Sequence, residues 1–192
     1  MRGYRTARPD PPPVDEESLV RQARSGDSEA FGQLYDACLE RVYRYIYFRV
    51  SEEETAEDLT SQVFLKAWEN LDRYKTGGSP FIAWLYTIAR NLVIDHYRTQ
   101  KEVVSLEDVT LSAPEEQNPV GQAELRFEMQ ALRDALQLLT EDQQEVLILK
   151  FIAGLPNASI AKMLKKQEGA IRALQMRGLQ TLARHLQPEE VT

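Results

Sequence analysis

The stretch Asn157–Met176, NASIAKMLKKQEGAIRALQM, decides the fold. Ile160, Ala161 and Leu164 recur at helical spacing, and so do Ile171, Leu174, Gly178 and Leu182 just beyond. Two short amphipathic helices joined by a few polar residues have the layout of a helix-turn-helix. At about 100° per residue, the face opposite the second stripe carries Arg172, Ala173, Met176, Arg177 and Gln180, while Gln175 falls nearer the core side. The N-terminal outward residues of such a second helix meet base edges in a major groove. Arg172 and Arg177 can pair with guanine edges or phosphates. Lys165 and Lys166, in the turn, suit phosphates, which position a protein without specifying sequence.

The charge distribution agrees. The chain has 192 residues and a net charge of −7, which argues against a coating of nucleic acid. Yet between Asn157 and Gln187 six cations (Lys162, Lys165, Lys166, Arg172, Arg177, Arg184) face Glu168 alone. Between Glu102 and Glu128 seven acids face only Arg126. A basic end on an acidic chain predicts a local footprint on double-stranded DNA.

Working outward, the whole chain reads as all-α, in two helical bundles joined by an acidic linker, with no strand pattern competing. Residues 1–15, with Pro9 and Pro11 to Pro13, read as a disordered tail, and 188–192 as a short second tail. A first module covers 16–100. Asp27 is a candidate N-cap for a helix through Val50, with Phe31, Leu34, Val42 and Ile46 inside. Ser51 and Glu54 read as a capping box for a helix to about Leu71. Gly77-Gly78 marks a loop, and Ser79-Pro80 reads as N-cap and first-turn proline of a helix to about Thr99. The linker takes 101–122. The second module, 123–187, has a helix over about Ala123–Leu139, a Thr140/Gln143 capping box opening a helix that ends at Gly154, a short helix capped by Asn157, and a last helix over about Glu168–Leu186.

No apolar run approaches the roughly 20 residues that a spanning helix needs, and nothing apolar follows Arg2, Arg5 and Arg8 as in a signal peptide. These readings predict no membrane insertion and a cytoplasmic protein. Cys38 is the lone cysteine, read as a buried thiol. No Gly-rich phosphate loop, metal cluster or nucleophile–base constellation is present, so no enzyme, catalytic residue, cofactor or metal site is expected.

Two faces of the first module remain. In the helix from Glu54, Ala56, Leu59, Val63, Phe64, Ala67 and Leu71 form the inner stripe. Leu65 lies outside among Asp58, Gln62 and Glu69, which suits a partner surface. After Pro80, Ile82, Leu85, Ala89, Leu92 and His96 point inward, and His96 reads as packed rather than metal-bound. The opposite face holds Thr87, Arg90, Asn91 and Arg98, flanked by Asp95 and Trp84, with Tyr86 and Tyr97 nearby. Arg for the backbone, an amide for base edges and rings for stacking suit a single strand. Trp84 itself reads as core.

The segments AEDLTSQVFLKAWENLDRY, SPFIAWLYTIARNLVIDHYR and LTEDQQEVLILKFIAGLPNASIA, in that order, resemble the sigma-70 family of RNA polymerase subunits, in particular its short extracytoplasmic-function (ECF) type. The resemblance covers about residues 16–187 apart from the linker. It implies that 16–100 is region 2, which binds core polymerase and melts the promoter −10 element, and that 123–187 is region 4, which binds the −35 element. It assigns the clamp coiled coil of core RNA polymerase to Asp58, Gln62, Leu65 and Glu69. Single-stranded −10 DNA goes to Thr87, Arg90, Asn91, Asp95 and Arg98, with Asn91 at the position that helps to read a flipped base. Double-stranded −35 DNA goes to Lys165, Lys166, Arg172, Ala173, Met176 and Arg177. It also implies capture by an anti-sigma factor. A stand-alone helix-turn-helix regulator would account for 123–187 but not for the two N-terminal segments.

The second module departs from the family pattern at four places. Lys165 stands where a turn glycine is usual, and a positive φ would cost it about 1 kcal/mol. Gln167 replaces a Ser/Thr cap. Pro156 precedes Asn157 where a small polar residue is typical. Ala173 leaves one outward position without hydrogen-bonding capacity.

Overall fold

Asp27 separates the first two helices. Its carboxylate accepts from the backbone N–H of Glu29 and Ala30 at 3.0 and 3.2 Å, which satisfies donors that a helix start leaves orphaned. Gly26 supplies the positive φ, 95°, that the preceding turn requires. The computed structural model describes residues 15–104 and 120–186. Eight α-helices and no strand occur among them. They are α1 (Glu16–Arg24), α2 (Ser28–Tyr47), α3 (Glu53–Glu69), α4 (Phe81–Val104), α5 (Val120–Gln137), α6 (Glu141–Leu147), α7 (Asn157–Leu164) and α8 (Glu168–Leu186). A 3-10 turn, Leu71–Arg73, follows α3, and a π-helical turn, Ile148–Ile152, continues α6.

The expected boundaries shift in a few places. Helix α4 runs on to Val104 and α5 begins at Val120, so helix occupies both ends of the expected 101–122 linker. Residues 105–119 lie outside the described residues, as do the expected tails except Asp15, which caps α1 through Ser18 N–H at 3.1 Å. The Ser51/Glu54 box does not form: α3 starts at Glu53 with Glu52 before it and no side-chain cap. The Thr140/Gln143 box does form, with both reciprocal bonds present. Ser79 does not cap α4; its hydroxyl donates to the Gly78 carbonyl. The N–H of Phe81 goes instead to the Glu16 carboxylate at 2.7 Å, which also accepts from the Tyr74 hydroxyl at 3.3 Å. An anionic cap at a helix N-terminus is favoured by the helix dipole, and this one arrives from α1.

Helices α1–α4 form one bundle and α5–α8 the other, and the two share one continuous apolar core. Tyr45, Ile46, Phe48, Phe81, Leu85 and Tyr86 fill the first part, and Ile148, Leu149, Ile160 and Ile171 the second, all essentially without exposure. Burying a large apolar side chain contributes about 1.5–3 kcal/mol, which outweighs the weak helix propensity of the β-branched and aromatic residues among them. All five residues from Glu145 to Leu149 are buried, so the chain is covered on every side where α6 passes into its π turn, whereas Phe151 further along that turn is exposed. Gly178 lets α8 approach α6: a Cβ there would stand 3.0 Å from Leu147 Cδ1.

Candidate nucleic-acid interface

On α3 the inner stripe is as expected, with Ala56, Leu59, Val63, Phe64 and Ala67 buried. Leu65 is 58% exposed, and Asp58, Gln62 and Glu69 are exposed around it. Trp68, three residues on, is also exposed, with its ring edge-on to Phe31 at 4.8 Å. Positions three apart share a helix face, so Leu65 and Trp68 make an apolar ridge. The three-residue spacing of Leu65 and Trp68 carries the same signal in the sequence.

On α4, Thr87, Asn91, Asp95 and Arg98 are exposed and Arg90 is half-buried. Arg98 pairs with Asp95 at 3.1 Å. Asn91 borders a recess of about 240 Å³ lined also by Lys66, Asn70, Arg73, Trp84, Ile88 and Leu92. Lys66, Asn70 and Arg73 come from α3 and the turn after it, and no local pattern in the sequence announces them. Trp84, expected in the core, is only half-buried; it packs on Tyr74 and Phe81 at 5.4 and 5.6 Å and lines the recess as well. Tyr86, in contrast to its expected place among the rings beside the single-strand face, is fully buried, with its ring centroid 5.2 Å from that of Tyr45. Tyr97 is half-buried and its hydroxyl donates to the Arg49 carbonyl at 2.7 Å. Trp84 is therefore the ring best placed for stacking here.

In the second module Lys165 takes the left-handed conformation, φ 53°, that the turn demands. Lys165, Arg172, Met176 and Arg177 are exposed, with Met176 at 60%, while Lys166 and Ala173 are half-buried. Arg172 is paired with Glu168 at 3.2 Å and Lys166 with Asp142 at 2.8 Å. Asn157 does not cap α7; Pro156 holds that position with no side-chain bond. The Asn157 amide exchanges two hydrogen bonds with Gln175, at 3.3 and 3.0 Å. This ties the two helices of the unit together and occupies the Gln175 amide.

The two modules also meet through polar groups. Glu145 of α6 is buried, and accepts from the Tyr45 hydroxyl at 2.7 Å. Arg49 Nε stands 3.3 Å from the same carboxylate, and Arg90 Nε 3.9 Å from it. Burial, then the negative charge of Glu145, pushes the Tyr45 phenol well above its usual pKa, so it stays a donor. Arg49 further donates to Gln144 at 2.8 Å, and Arg41 to the Ala153 carbonyl at 3.5 Å. Buried Arg133 of α5 donates to the carbonyls of Tyr47 and Ser51, each at 3.0 Å. Across a second recess, of about 460 Å³, Lys162 of α7 lies 3.5 Å from the Gly78 carbonyl.

Comparison with known proteins finds two family models along the chain. Residues 34–103 match Sigma-70 region 2, and residues 129–182 match Sigma-70, region 4. The ECF RNA polymerase sigma factor BldN of Streptomyces coelicolor is 45% identical over 172 residues, 88% of this chain. The chain spans 64% of the length of that relative. The ECF RNA polymerase sigma factor SigD of Mycobacterium tuberculosis is 30% identical over 174 residues, 86% of this chain and 81% of SigD. In fold, the chain is similar to CnrH in its complex with the cytosolic domain of CnrY, with a TM-score of 0.70 at 24% identity over 89% of this chain and 96% of that one.

Proposed function

Since the chain belongs to the sigma-70 family of RNA polymerase sigma factors, in its ECF branch, we propose that it binds core RNA polymerase and directs promoter-specific initiation. A sigma factor is a binding subunit and not an enzyme. The observation that carries this reading is the pairing, in one chain, of a helix-turn-helix with an exposed cationic face and a first module with an apolar ridge and an Asn91 recess. A stand-alone regulator has no use for the latter two.

In this reading residues 16–100 act as region 2 and 123–187 as region 4. Leu65, ringed by Asp58, Gln62 and Glu69, docks on the clamp coiled coil, and Trp68 widens that contact. The −10 strand runs along Thr87, Arg90, Asn91, Asp95 and Arg98, and an unpaired base enters the recess beside Asn91. Flipping a base costs a few kcal/mol, which stacking on Trp84, worth about 1–3 kcal/mol per base, offsets. Lys165 and Lys166 meet −35 phosphates, while Arg172, Ala173, Met176 and Arg177 face the major groove. Arg172 gives up its exposed pair with Glu168 at little cost, because such pairs are worth well under about 1 kcal/mol. The exposed surfaces on both modules suit capture by an anti-sigma factor, and the site of action is the cytoplasm. No described helix is long and apolar enough to cross a membrane.

The test is binding to purified core polymerase. Leu65→Asp should weaken core affinity at least 10-fold while leaving the helical circular dichroism unchanged, and Arg172→Ala should leave core affinity intact but weaken −35 duplex recognition. Tight binding of the wild-type chain to duplex promoter DNA, with no affinity for core enzyme, would instead favour a stand-alone regulator.

A further inference from the structure

The outward face of α8 has an apolar centre. At about 100° per residue, Gly169, Ala173, Met176 and Gln180 fall along its middle, with Arg172 on one flank and Arg177 on the other. Gly169, Met176 and both arginines are exposed, and Ala173 is half-buried. Met176 shows 60% of its surface, while the core of the module takes Ile171 and Leu174 on the opposite side. The helix-turn-helix thus presents a thioether, a methyl group and a bare stretch of backbone between two guanidiniums.

We propose that this stripe reads thymine: Met176 and Ala173 contact the C5-methyl groups of thymines on neighbouring base pairs of the −35 duplex. The inference rests on the −35 reading of α8 and adds the base chemistry to it. The groove itself carries the argument. Every base edge in the major groove offers donors or acceptors, and the thymine methyl is the apolar group among them. An apolar side chain set against guanine, adenine or cytosine strips water from those polar groups and returns no bond, which is costly. Against a thymine methyl the same side chain buries apolar surface on both partners, which is favourable. A 60%-exposed methionine beside an alanine therefore has one complementary partner in the groove.

The geometry agrees. Helix positions three apart lie about 5–6 Å from each other, and residues at this interval on a reading helix meet successive base pairs. The Ala173 methyl is short, so α8 must lie close to the bases for it to reach one. Gly169, one turn earlier on the same stripe, permits that approach. A Cβ there would meet no atom of the described residues within 4 Å, and its φ is not left-handed. Neither packing nor backbone conformation within the chain therefore calls for glycine. A helical glycine is less stable than alanine, and the close approach of a base edge is what it gains. Arg172, held by Glu168 at 3.2 Å, and Arg177 border the stripe, where guanine edges or phosphates fix its register.

The test uses the full chain reconstituted with purified core polymerase. A promoter duplex is selected from a randomised library, and each thymine of its −35 element is replaced in turn by deoxyuridine, which removes only the methyl group. At the thymines under α8 the affinity should fall about 4-fold, the effect of one buried methyl group. Met176→Ala should abolish that difference at one of them, whereas Met176→Leu, apolar and of similar size, should keep it. Gly169→Ala should raise the thermal midpoint yet weaken −35 binding, opposite signs that a purely structural glycine would not give. Tolerance of deoxyuridine throughout a selected −35 element overturns the thymine reading and leaves the −35 role of α8 standing. So does a selected −35 element without thymine. A methyl effect that survives both Met176→Ala and Ala173→Gly overturns it too, since that effect then comes from duplex shape. Selection of no upstream element at all defeats the −35 reading, and this inference with it.

Discussion

The Arg133 guanidinium lies over the Tyr47 ring with its central carbon 3.8 Å from the ring centroid. It also donates to the carbonyl of Tyr47, the last residue of α2, and to that of Ser51 in the turn beyond. A helix C-terminus leaves its last carbonyls without intrahelical partners and carries partial negative charge. Arg133 answers both and stacks on the ring. Replacing it with Met should cost about 2–3 kcal/mol, as for buried hydrogen bonds to a charged group. Lys should recover only part, because it lacks the planar fork. Urea unfolding of the three proteins checks this; equal midpoints for Arg and Met would show the contact to be idle.

Glu16 caps α4 from outside that helix. Glu16→Ala should destabilise the first module by about 1 kcal/mol, in the range of N-cap loss. It should also raise hydrogen exchange at Phe81 and in the Lys75–Ser79 loop. Ser79→Ala should leave Phe81 protected, since the Ser79 hydroxyl donates to the Gly78 carbonyl and the Phe81 N–H goes to Glu16. The opposite order of effects would return the cap to Ser79.

Lys165 combines a strained backbone with an exposed cation. Lys165→Gly relieves about 1 kcal/mol of left-handed strain but gives the unfolded chain more freedom. Thermal unfolding should register a small net gain, about 0.5 kcal/mol. The same change should weaken −35 duplex binding and lower the salt slope by about 1, as for loss of one phosphate contact. Stability and affinity moving together would remove Lys165 from the DNA face.

Burial pushes the Cys38 thiol up from 9.0 to about 11. A raised folded-state pKa means that the unfolded chain loses its proton first, so stability falls as pH rises from 9 towards 11. Tyr43 and Tyr74, raised to about 12 mainly by burial, extend the fall above pH 10. Cys38→Ala should flatten the part between pH 9 and 11 in urea midpoints. At pH 8 the folded thiol should react with a disulfide reagent about 100-fold more slowly than the unfolded one, following the two-unit shift.

Local patterns made much of this molecule legible. The bounds of α8 and the buried stripe of α3 follow from apolar residues at helical spacing, and the Thr140/Gln143 box from two residues three apart. The outward positions of Thr87, Asn91, Arg172 and Met176 follow from the same periodicity. What stayed hidden depends on distant partners. Ser51 and Glu54 have the right types for a box, but the helix begins between them. Tyr86 is drawn inward beside Tyr45, and the hundred residues that separate Tyr45 from Glu145 leave no periodic trace. Glu145, next to Gln143 and Gln144, reads as part of a solvated face until α2 is packed on it.

The π turn at Ile148–Ile152 has a consequence for alignment between the modules. Two α-helical turns take about 7.2 residues, and one inserted residue lengthens that to about eight, the interval from Glu145 to Ala153. The widened turn thus brings both residues into phase along the same side of α6, where Tyr45 and Arg41 meet them. Deleting any one residue from Ile148–Ile152 would set Ala153 roughly a quarter turn out of line. The spacing of the two modules is in this sense a vernier, read to a single residue.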